Sequence, residues 1–172
     1  NHAANANLVD VYHKIFPTVN HTFEWNILRD PLAQKYMVDL DGVLCEDWVH
    51  TEEMEDTEVY IRHLLQCKPL YKPNYPLYKI VTARLERFRE PTEKWLRENG
   101  IVYGELVMSP YETRQERLIN DGFIGYKANH YQNDSYAVCF IESEINQAIG
   151  IHARANKPVF CVDTMTAFGS LK

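Results

Sequence analysis

The chain has 172 residues, 45% of them hydrophobic and 24% charged, with a formal net charge of −6. That length suits one domain with a real core, and the composition is that of an ordinary soluble globular protein, with no repeat or low-complexity segment. The acidic balance argues against a broad grip on a nucleic-acid backbone, which calls for a basic face, and no apolar run approaches the ~18 residues of a membrane span.

In chain order, Leu8, Val9, Tyr12, Ile15 and Phe16 have helical spacing closed by Pro17. A short extended piece, Thr22 to Ile27, follows. Residues 1–30 read as an N-terminal extension or the tail of a missing upstream domain, and 31–172 as the main domain. From Lys35 the rhythm becomes strand and helix in alternation. Tyr36 to Leu40 is an apolar run ending on a carboxylate, and 55–66 a helix. Leu77 to Val81 is the second strand, preceded by the proline-rich turn 72–76. Leu85, Phe88, Thr92, Trp95 and Leu96 predict a helix with Gly100 at its C′ position, which requires Pro91 to lie in a first turn. Glu105 to Met108 is a third strand, 111–119 a charged helix, Tyr136 to Ile141 a fourth strand, 144–155 a helix and Pro158 to Val162 a fifth strand. This alternation predicts an α/β, Rossmann-like three-layer sandwich around a five-stranded parallel sheet.

Cys45, Cys67, Cys139 and Cys161 form no CxxC pair and have no zinc-ligand spacing. Cys139 and Cys161 lie in apolar runs and read as buried thiols, an expectation that suits a reducing, cytoplasmic setting. The seven histidines include no i, i+4 pair, and the acidic stretch from Glu46 to Glu58 reads as a solvated flap and helix start.

Ligands of open parallel sheets bind beyond the carboxyl ends of the strands. The first strand delivers Asp39-Leu40-Asp41-Gly42 there, the second Thr82-Ala83-Arg84, and the fourth Glu142-Ser143-Glu144, with Lys127 opening a helix 15 residues before Glu142. Taken singly these residues have plainer readings: Thr82 a helix cap, Arg84 a loop cation, and Glu142 and Glu144 carboxylates favoured by a helix dipole.

Taken in order they resemble the four motifs of the haloacid dehalogenase (HAD) superfamily: an apolar strand followed by DxDG, a Thr closing the next strand, a Lys on a helix, and an acidic pair after another strand. The resemblance covers about Lys35 to Asp163. It implies a phosphatase in which Asp39 is the nucleophile that forms an aspartyl-phosphate and Asp41 the general acid and base. Thr82 would donate to a phosphoryl oxygen and Lys127 would neutralise charge. Thr82, Ala83 and Arg84 would contact the substrate, and Mg²⁺ would be held by Asp39, Asp41, Glu142 and Glu144. The fourth motif departs from the family, which has Asp where this chain has Glu142. The spacing leaves no room for an inserted cap domain, since fewer than forty residues separate Gly42 from Ile80.

Phe23-Glu24-Trp25-Asn26, DLDGVLC (39–45) and FIESE (140–144) look like a subgroup fused behind a phosphoribosyltransferase domain. That narrower likeness implies such a domain, fused or separate, as partner, and a nucleotide or phosphoribosyl compound as phosphorylated substrate. Nucleic acid enters only as the bearer of an end phosphate. The competing expectation is a HAD-like regulatory or binding domain with little turnover.

Overall fold

The structure, a computed structural model, describes residues 27–48, 58–120 and 122–169. The helix expected over Leu8 to Phe16, the extended piece up to Asn26 and most of the acidic flap lie outside them. Ile27 and Leu28 are buried in the core ahead of the expected boundary at residue 31. A 3₁₀ turn over Pro31–Lys35 follows, opened by Asp30, whose side chain accepts from the Leu32 N–H at 2.8 Å.

Six strands form one sheet: β1 (Tyr36–Val38), β2 (Leu77–Leu85), β3 (Tyr103–Ser109), β4 (Cys139–Glu142), β5 (Val159–Cys161) and β6 (Thr166–Phe168). Their order is β3-β2-β1-β4-β5-β6, with all neighbours parallel except β5 and β6. The helices are α1 (Glu58–Gln66), α2 (Arg89–Glu98), α3 (Arg114–Asn120), α4 (Gly122–Gln132) and α5 (Ile145–Ala155).

The runs of β1 and β4 are buried at every position because helices cover both faces. Alternate residues serve the two sides. Val38, Ile141 and Phe160 pack with Leu64 of α1 and with Trp95 and Leu96 of α2. Met37, Phe140 and Val159 pack with Tyr131 of α4 and with Ala148 and Ile151 of α5. The chain builds outward from β1 through β2 to β3, then returns to lay β4 on the other side of β1. That reversal opens a crevice at the carboxyl ends of β1 and β4.

The Rossmann-like α/β class matches expectation, but the sheet has six strands, not five. β6 is three half-buried residues returning antiparallel after a turn in which Met165 takes φ 52°, so it carries no apolar run. Leu85 ends β2 instead of opening a helix; a 3₁₀ turn over Glu86–Phe88 leads into α2, with Pro91 in its first turn. Gly100, at φ 68°, follows the C-cap of α2 as expected. Lys127 lies in the middle of α4, not at its start. All four cysteines are buried free thiols, and no helix among the described residues is long and apolar enough to cross a membrane.

Asp134, in the turn from α4 to β4, ties that turn to β2. Its carboxylate accepts from Tyr78 Oη at 2.8 Å, Lys79 Nζ at 3.0 Å, and the N–H groups of Tyr136 and Ala137 at 2.9 and 2.8 Å. Burial alone would raise its pKa, but the Ala137 amide, Tyr78 and Lys79 outweigh it and bring the value down to about 2. A depressed carboxyl stabilises the fold above its unfolded pKa and loses that contribution as pH falls through the folded one. Asp134→Asn is expected to cost about 2 kcal/mol at neutral pH. In thermal melts, the stability gap between variant and wild type should close between about pH 4 and pH 2.

Candidate active site

The site starts where β1 leaves the sheet. The Asp39 N–H makes the last rung to β4, donating to the Ile141 carbonyl at 2.9 Å. The chain then folds on itself: the Leu40 carbonyl accepts from the N–H groups of Leu44 and Cys45 at 2.8 and 3.1 Å. Gly42 sits at φ 75°, and a Cβ there would lie 2.4 Å from Ser143 Oγ. Glycine is therefore required twice, for the turn and for the approach of the β4 loop. The tight turn sets Asp39 and Asp41 on one cavity of about 340 Å³, which Thr82, Arg84 and Lys127 also line.

Asp39 and Glu142 share one cation. Lys127 Nζ donates to Asp39 Oδ2 at 2.6 Å, Glu142 Oε2 at 2.7 Å and Gln147 Oε1 at 3.0 Å, and all three charged groups are buried. Burial pushes the Asp39 carboxyl well above its ordinary range. Lys127 opposes that shift, while Glu142 and Asp41 add to it. Burial works against the charge on Lys127, yet Asp39 and Glu142 hold its pKa above the usual lysine value.

Asp41 has the opposite surroundings. Arg84 forks onto it, with Nη2 2.6 Å from Oδ1 and Nε 2.9 Å from Oδ2. Burial would raise this carboxyl too, but the guanidinium holds it below the ordinary value. Arg84 is 2% exposed and also donates to Thr92 Oγ1 at 3.3 Å and contacts Cys45 Sγ at 3.2 Å. Reading it as a loop cation is thus overturned. The neighbouring β2 residues depart from regular pairing with β3 between Val81 and Leu85, and that irregularity turns Thr82, Ala83 and Arg84 toward the cavity they line. Thr82 caps no helix: its Oγ1 accepts from the Arg84 N–H at 3.2 Å and lies 3.5 Å from Asp41 Oδ2.

Glu142 ends β4, and its Oε1 accepts from the Ser143 N–H at 3.0 Å. Glu144 is the N-cap of α5, accepting from the N–H groups of Asn146 and Gln147 at 2.9 and 2.8 Å. Both its oxygens are engaged in that role. Among the described residues no group of three His, Cys, Asp or Glu side chains is placed to hold a metal ion. The hard oxygen donors at the crevice are the Asp39 carboxylate and the Asp41 carbonyl, which accepts from Ser143 Oγ at 3.3 Å, with the buried Glu142 carboxylate behind them, its oxygens accepting from Lys127 and the Ser143 N–H. Mg²⁺ commonly takes one or two carboxylates and completes its shell with water and substrate phosphate, so this donor set fits it. With two carboxylates on one lysine, the cluster is also short of one positive charge.

Sequence reasoning did not single out Arg117 of α3. It is buried at the same cavity, donates from Nη1 to the Ala83 carbonyl, and stacks 4.6 Å from the Phe123 ring centroid. Nothing in the charged stretch RQER (114–117) marks which arginine turns inward.

No protein-family model matches the sequence, and no curated protein matches it. Two solved chains are similar. One, from a Pnkp1/Rnl/Hen1 RNA repair complex, is 18% identical with a TM-score of 0.41, covering 77% of this chain and 43% of that one. The other, from a Pnkp1/Rnl/Hen1 complex, is 17% identical with a TM-score of 0.41, covering 83% and 50%. This chain thus spans half or less of their length, and at that TM-score the likeness bears on neither fold nor activity.

Removing the shared cation leaves two buried carboxylates facing each other. Lys127→Met is expected to cost about 3–5 kcal/mol, seen as a lower midpoint in denaturant melts. Asp39→Asn should do the reverse. It leaves Lys127 and Glu142 as a balanced pair, and each kcal/mol relieved raises the melting temperature by roughly 2–4 °C at neutral pH. Because the raised Asp39 carboxyl disfavours the folded state as pH rises through its pKa, this gain should vanish in acid.

Proposed function

We propose that the domain is a Mg²⁺-dependent phosphomonoester hydrolase of the HAD type, working through an aspartyl-phosphate on Asp39. The observation that carries the reading is the tight turn after β1, which sets the Asp39 and Asp41 carboxylates on one cavity with Thr82 and with Lys127, 2.6 Å from Asp39. Two carboxylates on one crevice can divide the roles of nucleophile and of general acid and base. The resemblance of the four motifs supports the same reading.

In the first step an Asp39 carboxylate oxygen attacks phosphorus, and the bond to the leaving oxygen breaks as Asp41 gives that oxygen a proton. In the second step water attacks phosphorus while Asp41 takes its proton, releasing phosphate and restoring Asp39. Lys127 orients Asp39 and opposes the upward shift that burial imposes on it, and Thr82 Oγ1 donates to a phosphoryl oxygen. Asp39, Glu142 and the Asp41 carbonyl would hold Mg²⁺, which would supply the positive charge that a dianionic phosphate and a carboxylate nucleophile together require.

Arg84 decides when Asp41 can act. While the guanidinium forks onto it, Asp41 holds no proton to give. A phosphoryl group beside Thr82 competes for that fork, and as Arg84 turns to the phosphate the Asp41 pKa rises. Substrate binding therefore arms the acid. The short spacing between motifs leaves no room for an inserted cap domain, since fewer than forty residues separate Gly42 from Ile80, and an open site suits a nucleotide or phosphoribosyl compound.

A second reading is a HAD-like binding or regulatory domain beside a phosphoribosyltransferase. The buried clamp on Asp41 and the engagement of Glu144 as a helix cap favour it.

Hydrolysis of an aryl phosphate, with and without Mg²⁺, separates the two. The hydrolase reading expects metal-dependent turnover that falls to background in Asp39→Asn. Absence of turnover in wild type, with Mg²⁺ failing to raise its melting temperature, supports the binding domain instead. The acid limb of kcat/KM reports ionisation of Asp39, and saturating Mg²⁺ should move that limb to lower pH. A limb that ignores Mg²⁺ concentration would remove Asp39 from the cation's reach.

A further inference from the structure

Behind the turn that carries Asp41 lies a pair of thiols that the proposed chemistry does not use. The N–H groups of Glu46 and Leu70 donate to the Lys68 and Leu44 carbonyls, each at 2.9 Å, and lay the end of the turn against the segment that follows α1. Across that pairing Cys45 stands opposite Pro69, two residues past Cys67. The Cys45 and Cys67 thiols are hydrogen-bonded to each other. Both backbones are fixed. The Cys45 N–H donates to the Leu40 carbonyl at 3.1 Å, and its own carbonyl accepts from the Gly42 N–H at 2.8 Å. The Cys67 carbonyl accepts from Trp95 Nε1 at 2.8 Å. Cys161, by contrast, pairs with Glu142 across the sheet, three residues along from Cys139. Arg84 Nη2 lies 3.2 Å from Cys45 Sγ, and the same guanidinium reaches the Cys67 thiol; a neighbouring cation is characteristic of thiols that react with oxidants. Cys45 is fully buried while Cys67 keeps 6% exposure, so a small oxidant meets Cys67 first. Cys45 Sγ lies 3.7 Å from Asp41 Oδ1, which sets the pair one contact behind the cavity.

We infer that Cys45 and Cys67 form a reversible disulfide in response to hydrogen peroxide, and that this bond throttles the site in front of it. In the first step the Cys67 sulfur attacks a peroxide oxygen, the O–O bond breaks, and a sulfenic acid and water form. In the second the Cys45 sulfur attacks the Cys67 sulfur, the S–O bond breaks, and the hydroxyl leaves with the Cys45 proton as a second water. Two electrons pass from the thiols to peroxide, and exchange with a small thiol reductant restores both cysteines. A transient bond of this kind suits a reducing compartment. Oxidation takes the Cys45 S–H from Asp41 and the sulfur from Arg84, which commits the guanidinium more firmly to its fork on Asp41. The throttle rests on the hydrolase reading; the bond does not.

The whole chain, free of reductant, is treated with a small molar excess of hydrogen peroxide, denatured in N-ethylmaleimide and mapped by peptide mass spectrometry. Two alkylated thiols are expected instead of four, with one linked peptide pair holding Cys45 and Cys67. Closing the loop over residues 46–66 is expected to raise the melting temperature by roughly 5–10 °C, a gain that dithiothreitol removes and that Cys67→Ser does not show. Aryl phosphate turnover is expected to fall several-fold on oxidation and to recover in dithiothreitol. Four alkylated thiols after treatment overturn the inference, as does a bond between other cysteines or a sulfinic acid on Cys67 beside an alkylated Cys45. The map is made on wild type, so it decides the matter even if Cys67→Ser fails to fold. Turnover that is unchanged once the bond is mapped overturns the throttle. Absence of turnover in the reduced protein instead strikes the hydrolase reading and leaves the disulfide standing.

Discussion

Lys127 Nζ lies within 2.7 Å of a carboxylate oxygen of both Asp39 and Glu142, and the arrangement of the crevice follows from that sharing. Each buried ion costs several kcal/mol of lost hydration, which only close, well-satisfied partners offset. The partners come from β1, α4 and β4, so the cluster holds together only if α4 packs onto the sheet where it does. Tyr126, Ala128 and Tyr131, buried on both sides of Lys127, secure that packing. Two carboxylates against one ammonium leave the cluster one positive charge short. It relieves that deficit by retaining a proton or by recruiting a cation, and in the proposed mechanism the first answer silences the nucleophile while the second frees it.

Asp41 stands two residues beyond Asp39 yet answers to Arg84. The two acids are neighbours in sequence and opposites in environment. Burial pushes the Asp39 carboxyl up while Arg84 holds the Asp41 carboxyl down, the reverse of what the proposed attack and leaving-group protonation need. Two events correct the order: positive charge beside Asp39, and an anion that draws Arg84 away. Under the proposed hydrolase reading both would arrive with Mg²⁺ and a phosphate ester. On that reading the resting domain is poised against idle chemistry, and the same buried forks that stabilise the fold hold it there.

Much of this was legible in the sequence. Apolar runs that end abruptly in DLDG and ESE located two strand ends, because a strand buried on both faces tolerates charge only where it emerges, whereas TAR lies within β2, which runs on to Leu85. The Asp39–Asp41 spacing pointed at one pocket because Gly42 follows. Other features left weaker traces. Arg84 stands among Arg87 and Arg89, and only the irregular pairing after Val81 decides which arginine turns inward. α4 is buried on several sides and carries two glycines, so its start was misread by five residues, at Lys127 instead of Gly122. Glu144 looked like a ligand because local sequence cannot tell a cap from a metal carboxylate. β6 is too short to carry a pattern, and the partner strand that makes it a strand lies across a turn.

The crevice falls at the middle of the sheet, with two strands on either side of the β1–β4 pair. Strands at a sheet's margin open first in local fluctuations, while central ones open only with the whole domain. The backbone amides of Asp39 and Ile141 therefore belong to the slowest-exchanging part of the molecule. α3, seven residues with most of its surface in solvent, belongs to a faster class. The floor formed by Asp39 and its neighbours borrows the full cooperativity of the fold. The α3 wall does not, and adaptability there leaves the geometry beneath it undisturbed.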